Sequence, residues 1–165
     1  MKTEIYCDSA DLKTIRKLSN NSLVRGFTTN PSLMRLAGAR NYKNYSLKLL
    51  KACKGKPISL EVFADTPKEM LEQAKIINSW GQNVYVKIPV VNSRGFFSGK
   101  VINTLSKKRI KLNITAVYTV GQVKKIIKSI NKNSKTIISI FAGRMGDTGI
   151  DPVPIINKCV KLTKK

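Results

Sequence analysis

Six short runs rich in β-branched residues punctuate this chain: Glu4–Asp8, Arg25–Thr29, Ile58–Ala64, Val84–Val90, Lys111–Val117 and Thr136–Ala142. Between and after them lie stretches with helix-like apolar spacing: Asp11–Ser19, Ser32–Ala37 with Tyr42–Cys53, Pro67–Trp80, Phe97–Ser106, Val120–Asn131 and Pro152–Leu162. Successive runs start 21 to 33 residues apart, about what a strand, a helix and two short loops require. The alternation predicts βα units with parallel strands and right-handed crossovers. Local start signals agree with it. Asp65-Thr66-Pro67 followed by Glu69 supplies an N-cap, a first-turn proline and an early acid, and Asn30-Pro31-Ser32 turns a strand into a helix. No linker or low-complexity segment interrupts the pattern, so one domain over residues 1–165 is expected.

The alternation of residues within each run narrows the architecture. Leu112, Ile114 and Ala116 share one face of the fifth run, and Asn113 and Thr115 share the other. In the fourth, Val84, Val86 and Ile88 oppose Tyr85 and Lys87; in the third, Leu60, Val62 and Ala64 oppose Ser59, Glu61 and Phe63. Ile5 and Cys7 oppose Tyr6 and Asp8 in the first, and Ile138 and Ile140 oppose Ser139 and Phe141 in the sixth. An open sheet covered by helices on both sides favours strands that are apolar throughout. Here one face suits a helix layer and the other gathers polar groups. That is the pattern of a barrel interior whose polar residues lie toward the C-terminal strand ends, where barrel active sites lie.

Composition excludes several chemistries. Histidine is absent, which removes Ser-His and Cys-His nucleophile systems and the commonest zinc ligand. The three cysteines, Cys7, Cys53 and Cys159, are widely spaced and form no metal-like pair; a reducing cytoplasm fits them. No run approaches the ~18 apolar residues of a membrane span, and no signal peptide is evident after Met1. The net charge of +22 is large, but the lysines are spread along the chain. Clusters such as Lys107-Lys108-Arg109 and Lys161 to Lys165 read as solvated helix faces and termini. Loose attraction to polyanions is expected, a specific nucleic-acid site is not, and anionic phosphorylated metabolites are the more economical partners.

Lys87 is the residue with the sharpest chemical implication. It sits inside Val84-Tyr85-Val86-Lys87-Ile88-Pro89-Val90, a run that reads as a buried strand. An ammonium held there loses hydration, which favours the neutral amine that can attack a carbonyl. The plain alternative is a strand-end lysine that reaches water or pairs with a carboxylate. Glu61 raises the same question, since it too is a charge within an apolar strand. A lone Asp8 before a helix is ordinarily an N-cap, Asn30-Pro31 a turn signal, and Gly143-Arg144 beside Gly146-Asp147 a solvated loop.

Taken together, Tyr6-Cys7-Asp8-Ser9-Ala10, Gly26-Phe27-Thr28-Thr29-Asn30-Pro31-Ser32-Leu33, Val86-Lys87-Ile88-Pro89, Asn113-Ile114-Thr115-Ala116-Val117 and Phe141-Ala142-Gly143-Arg144 resemble the transaldolase family in order and spacing. The resemblance runs from about residue 2 to residue 157 and points to the short bacterial and phage branch, which includes fructose-6-phosphate aldolase. It implies a (β/α)₈ barrel and a metal-free class I reaction without cofactor. A dihydroxyacetone unit would pass between sugar phosphates of the pentose phosphate pathway. By the same resemblance, Lys87 would form the imine, Asp8 would act as acid and base, and Glu61 with Thr115 would position a catalytic water. Asn30 and Asn113 would hold substrate hydroxyls, Ser139 and Phe141 would line the site, and Arg144 would bind phosphate.

Glu61 and Phe141 are the residues expected of transaldolases, where the aldolase branch tends to carry Gln and Tyr, so a transferase is favoured over a lyase. The sequence departs from the pattern at Ile140, where many relatives have proline. It also holds six strands where the family has about eight. Three functional readings follow: a transaldolase, a fructose-6-phosphate aldolase-type lyase, or an inactive fragment that binds nucleic acid or a scaffold through its charge. Homo-oligomers are expected from the family.

Overall fold

The computed structural model describes residues 3–164. Six strands, β1 (Ile5–Asp8), β2 (Val24–Thr28), β3 (Ile58–Glu61), β4 (Val84–Pro89), β5 (Leu112–Val117) and β6 (Thr136–Ile140), follow one another in the sheet in chain order. They run parallel and alternate with helices: α1 (Leu12–Ser19), α2 (Pro31–Leu36), α3 (Tyr42–Ala52), α4 (Pro67–Asn78), α5 (Gly99–Lys107), α6 (Val120–Ser129), α7 (Ala142–Asp147) and α8 (Val153–Thr163). This is part of a (β/α)₈ barrel. The chain forms two compact units. The first runs to Phe63 and takes in Glu72–Val86; the second holds Ala64–Leu71 and everything from Lys87 onward.

In the first unit, polar caps start each helix. Asp11 Oδ2 accepts the Thr14 amide at 2.7 Å, Asn30 Oδ1 that of Leu33 at 2.8 Å, and Asn41 Oδ1 that of Asn44 at 2.9 Å. Pro31 occupies the first turn of α2, where its missing N–H costs nothing. Register aligns the strand ends: Asp8 pairs with Thr28, and Thr28 with Ser59. Ile15, Phe27, Leu49, Ile58 and Leu60 are completely buried and form the core. β3 stops at Glu61 rather than continuing to Ala64, because the Phe63 amide turns away to the Gln73 side chain at 3.0 Å.

In the second unit, Ile88, Ile102, Leu105, Leu112, Ile114, Val123 and Ile126 have no solvent exposure. Thr119 and Gln122 form a reciprocal capping box at the start of α6. At α4 the cap is Thr66, whose hydroxyl meets the Glu69 amide at 3.3 Å. Asp65 instead ties down the loop after β4, accepting the Ser93 amide at 2.7 Å and its hydroxyl at 2.8 Å. β6 ends at Ile140, two residues before the expected boundary, because the chain turns into α7 at Ala142. The Gly143-Arg144 to Gly146-Asp147 stretch is therefore helical rather than a loop. Every residue of β6 is half-buried, as befits the last strand of the order, and the groove of about 570 Å³ beside it is lined by Val123, Ile138, Cys159 and Leu162 among others.

Gly26 explains itself through close approach. A Cβ there would overlap the Tyr6 ring and stand 2.8 Å from the Pro57 carbonyl oxygen, which is backbone and cannot step aside. Gly26→Ala is expected to destabilise the protein by about 1–3 kcal/mol, as overpacking of a tight core does. A urea titration checks this; a midpoint equal to that of the wild type would show that β1 and β3 yield more easily than the contact implies.

Candidate active site

The second unit carries the buried polar cluster. Lys87 is 6% exposed, with Val86 and Ile88 on either side fully buried. On β5, Asn113 and Thr115 are each 1% exposed, so two polar side chains on one strand face are withdrawn from water. Ser139 of β6 donates its hydroxyl to Asn113 Oδ1 at 2.7 Å. The Thr115 hydroxyl is buried without a hydrogen-bond partner among the described residues. A buried hydroxyl in that state is costly unless a water or a ligand joins it. The expected partition of β5 holds for Asn113 and Thr115 but fails at Ala116. That residue adopts a left-handed backbone (φ 57°), and the register with β6 slips between Ile114 and Val117.

Beyond the strands, Phe141 is half-buried and meets the Tyr118 ring edge-on, with centroids 5.7 Å apart. Tyr118 was not among the expected site residues, and its place next to Phe141 has no signal in residue spacing. Arg144 lies exposed on α7, 3.3 Å from Asp147, an arrangement that leaves most of its guanidinium open to an anion.

The first unit holds the remaining candidates. Asp8 does not cap α1, a task that falls to Asp11; instead its Oδ1 accepts the Thr28 hydroxyl at 2.7 Å. Thr28 thus orients Asp8, and its place in the second motif was the available clue. Asn30 does serve as a cap, but only through its carbonyl oxygen, and its amino group is the half that can donate to another molecule. Glu61, half-buried at the end of β3, accepts the Tyr42 phenol on its backbone oxygen at 2.8 Å. Burial is the main reason the Tyr42 phenol ionises well above its usual range, and the Glu61 charge adds to it. Tyr42 also stacks near Phe63 and Trp80, with centroids 5.3 and 6.0 Å away. Among the described residues no cluster of three or more His, Cys, Asp or Glu side chains is placed to hold a metal ion, and no helix is long and apolar enough to cross a membrane.

Parallel βα units, with a lysine buried in the fourth strand and buried amide and hydroxyl groups on the fifth, make this a partial (β/α)₈ barrel with polar groups withdrawn from water on two neighbouring strands. The comparison with known proteins sharpens this: residues 5–165 match the transaldolase/fructose-6-phosphate aldolase family, and the chain belongs to it. It is 36% identical over 154 residues to a probable transaldolase of Streptococcus equi subsp. zooepidemicus, covering 93% of this chain and 67% of the relative. A probable transaldolase of Dehalococcoides mccartyi is 32% identical over 161 residues, covering 98% and 71%. Probable transaldolase 2 of Listeria monocytogenes is 32% identical over 159 residues, covering 96% and 68%. The chain therefore spans about two thirds of these relatives.

The raised Tyr42 phenol gives a pH signature. Folding holds the proton on Tyr42, whereas the unfolded chain releases it near the ordinary phenol value of 10.0. The associated stability is intact below about pH 10 and is lost as pH rises above it. Cys53, pushed up to about 12 by burial, adds a similar loss that begins near its unfolded value of 9.0. Tyr42→Phe should be less stable near neutrality by about 0.5–1.5 kcal/mol through the lost hydrogen bond. Its stability should decline less steeply than the wild type's above pH 10. Urea unfolding at pH 8, 10 and 11 reads both effects, and parallel pH profiles would show that Tyr42 does not set the slope.

Proposed function

We propose that this chain works as a class I transaldolase, moving a dihydroxyacetone unit from a ketose phosphate such as fructose 6-phosphate or sedoheptulose 7-phosphate to an aldose phosphate. The observation that supports it most is the burial of Lys87 in the middle of β4, on a chain that belongs to this family. The Lys87 amine adds to the ketose carbonyl and water leaves, giving an imine. Once protonated, the imine withdraws electrons from the neighbouring carbon–carbon bond. Asp8 accepts the proton of the C4 hydroxyl as the C3–C4 bond breaks, and the aldose phosphate departs. The bound enamine then adds to the incoming aldehyde, and hydrolysis of the new imine returns the lysine.

Within this reading Glu61 and Thr115 place the water that leaves and returns. The unpartnered Thr115 hydroxyl supports that role, since a water there would satisfy it. Asn30, through its free amino group, and Asn113, braced by Ser139, hold hydroxyls of the three-carbon unit. Arg144 takes the phosphate, for which its exposed, planar, charged fork is suited. Phe141 has no proton to give to the carbanion, which favours transfer over release. The family's description also names fructose-6-phosphate aldolase, and that lyase is the second reading. Free dihydroxyacetone as the main product would select it.

Borohydride reduction in the presence of fructose 6-phosphate, followed by intact mass and peptide mapping, tests the reading. A reduced adduct on Lys87, absent from Lys87→Ala, is the expected result. Soluble, folded protein that traps no substrate would reject an imine mechanism for this chain.

A further inference from the structure

We infer that Ala116 is a positioning residue, and that the bulge it creates in β5 is the device that sets Thr115 and the Tyr118–Phe141 pair in place. This rests on the imine reading given above and extends it to a residue with no functional side chain.

The strands β5 and β6 run in step from Leu112 opposite Thr136 to Ile114 opposite Ile138, and the pairing resumes with Val117 opposite Ile140. Thr115 and Ala116 therefore stand against the single residue Ser139, the two-against-one count of a β-bulge. Ala116 adopts φ 57°, a region that an L-residue enters at a cost. Lys54 and Arg109, the other non-glycine residues with positive φ among those described, both lie in turns. Only Ala116 carries this strain inside a strand.

The strain has three consequences that a regular strand would lack. First, strict alternation would put Val117 on the face of Asn113 and Thr115. The extra residue returns it to the face of Leu112 and Ile114, where it is fully buried. Second, the same reset brings Tyr118 round to meet Phe141 edge-on, while the Phe141 amide donates to the Val117 carbonyl at 2.9 Å. Third, Ser139 gives its hydroxyl to Asn113 rather than to Thr115, so the Thr115 hydroxyl stays buried and uncommitted. A bulge kept for packing alone would gain only the first of these. The second and third act on residues that the imine reading uses, and strained backbone held at such a place is characteristic of functional sites.

The experiment compares Ala116→Gly, Ala116→Asn, Ala116→Leu and Ala116→Val in the borohydride assay. Trapping rate is followed against fructose 6-phosphate concentration, and folded fraction is followed by circular dichroism. Glycine and asparagine accept the left-handed region and should trap within about two-fold of the wild type. Valine should lower the maximal rate at least about ten-fold per folded molecule while half-saturation moves little, the pattern of a misplaced reacting group rather than of lost binding. Asparagine and leucine are similar in size, so that pair separates backbone tolerance from bulk even where valine does not fold. Equal rates for Asn and Leu, or a wild-type rate in folded Val protein, would overturn the inference while leaving the imine reading standing. Absence of an adduct in the wild type would overturn both.

Discussion

A strand offers each face only every second residue, and this constraint is what the two compact units organise themselves around. On β5 it divides Leu112 and Ile114 from Asn113 and Thr115, and all four are buried. The apolar pair needs nothing more than the helices packed on it. The polar pair must find partners or wait for them, and Ser139 on the neighbouring strand answers for Asn113. Because parallel strands in register place like faces side by side, one strand's partition propagates to the next. The burial of Lys87 is a product of the same rule, since the residues on either side of it, Val86 and Ile88, fill the apolar face.

The first unit solves a different problem with the same parts. Its polar residues sit at strand ends, where register sets Asp8 level with Thr28 and Thr28 level with Ser59. A carboxylate at such an end is open to solvent and yet is held by the Thr28 hydroxyl. Gly26, two residues earlier, lets β1 and β3 close in on β2, since any side chain there would meet the Pro57 carbonyl. The closeness of the strands and the orientation of the carboxylate are thus linked through Gly26 and Thr28 of one motif.

Much of this was legible in residue order. The strand and helix cores, the Asn30 cap and the split faces of β4 and β5 follow from periodicity and local signals, and the family is visible in the resemblance of five motifs. The misreadings have local causes. β3 and β6 end early because side-chain and helix-forming interactions capture their last backbone groups, as Gln73 does for Phe63. The plain alternative for Asp8, a helix cap, is set aside because Asp11 caps α1. Neither the bulge at Ala116 nor the meeting of Tyr118 with Phe141 leaves a mark in periodicity, because alanine is an ordinary strand residue and carries no signal for a left-handed backbone.

Asn30 shows how one side chain can close off substitution. Ser, Asp and Thr all start helices about as well as Asn, so α2 by itself would accept any of them. None of the three presents an amino group on the far side of the cap. With the Asn30 carbonyl fixed by the Leu33 amide, rotation of the amide plane is spent, and the direction in which its N–H bonds point is decided by the helix. The first turn of α2 thereby acts as a mount for a donor, and any drift of that helix would be transmitted directly to whatever the amino group holds.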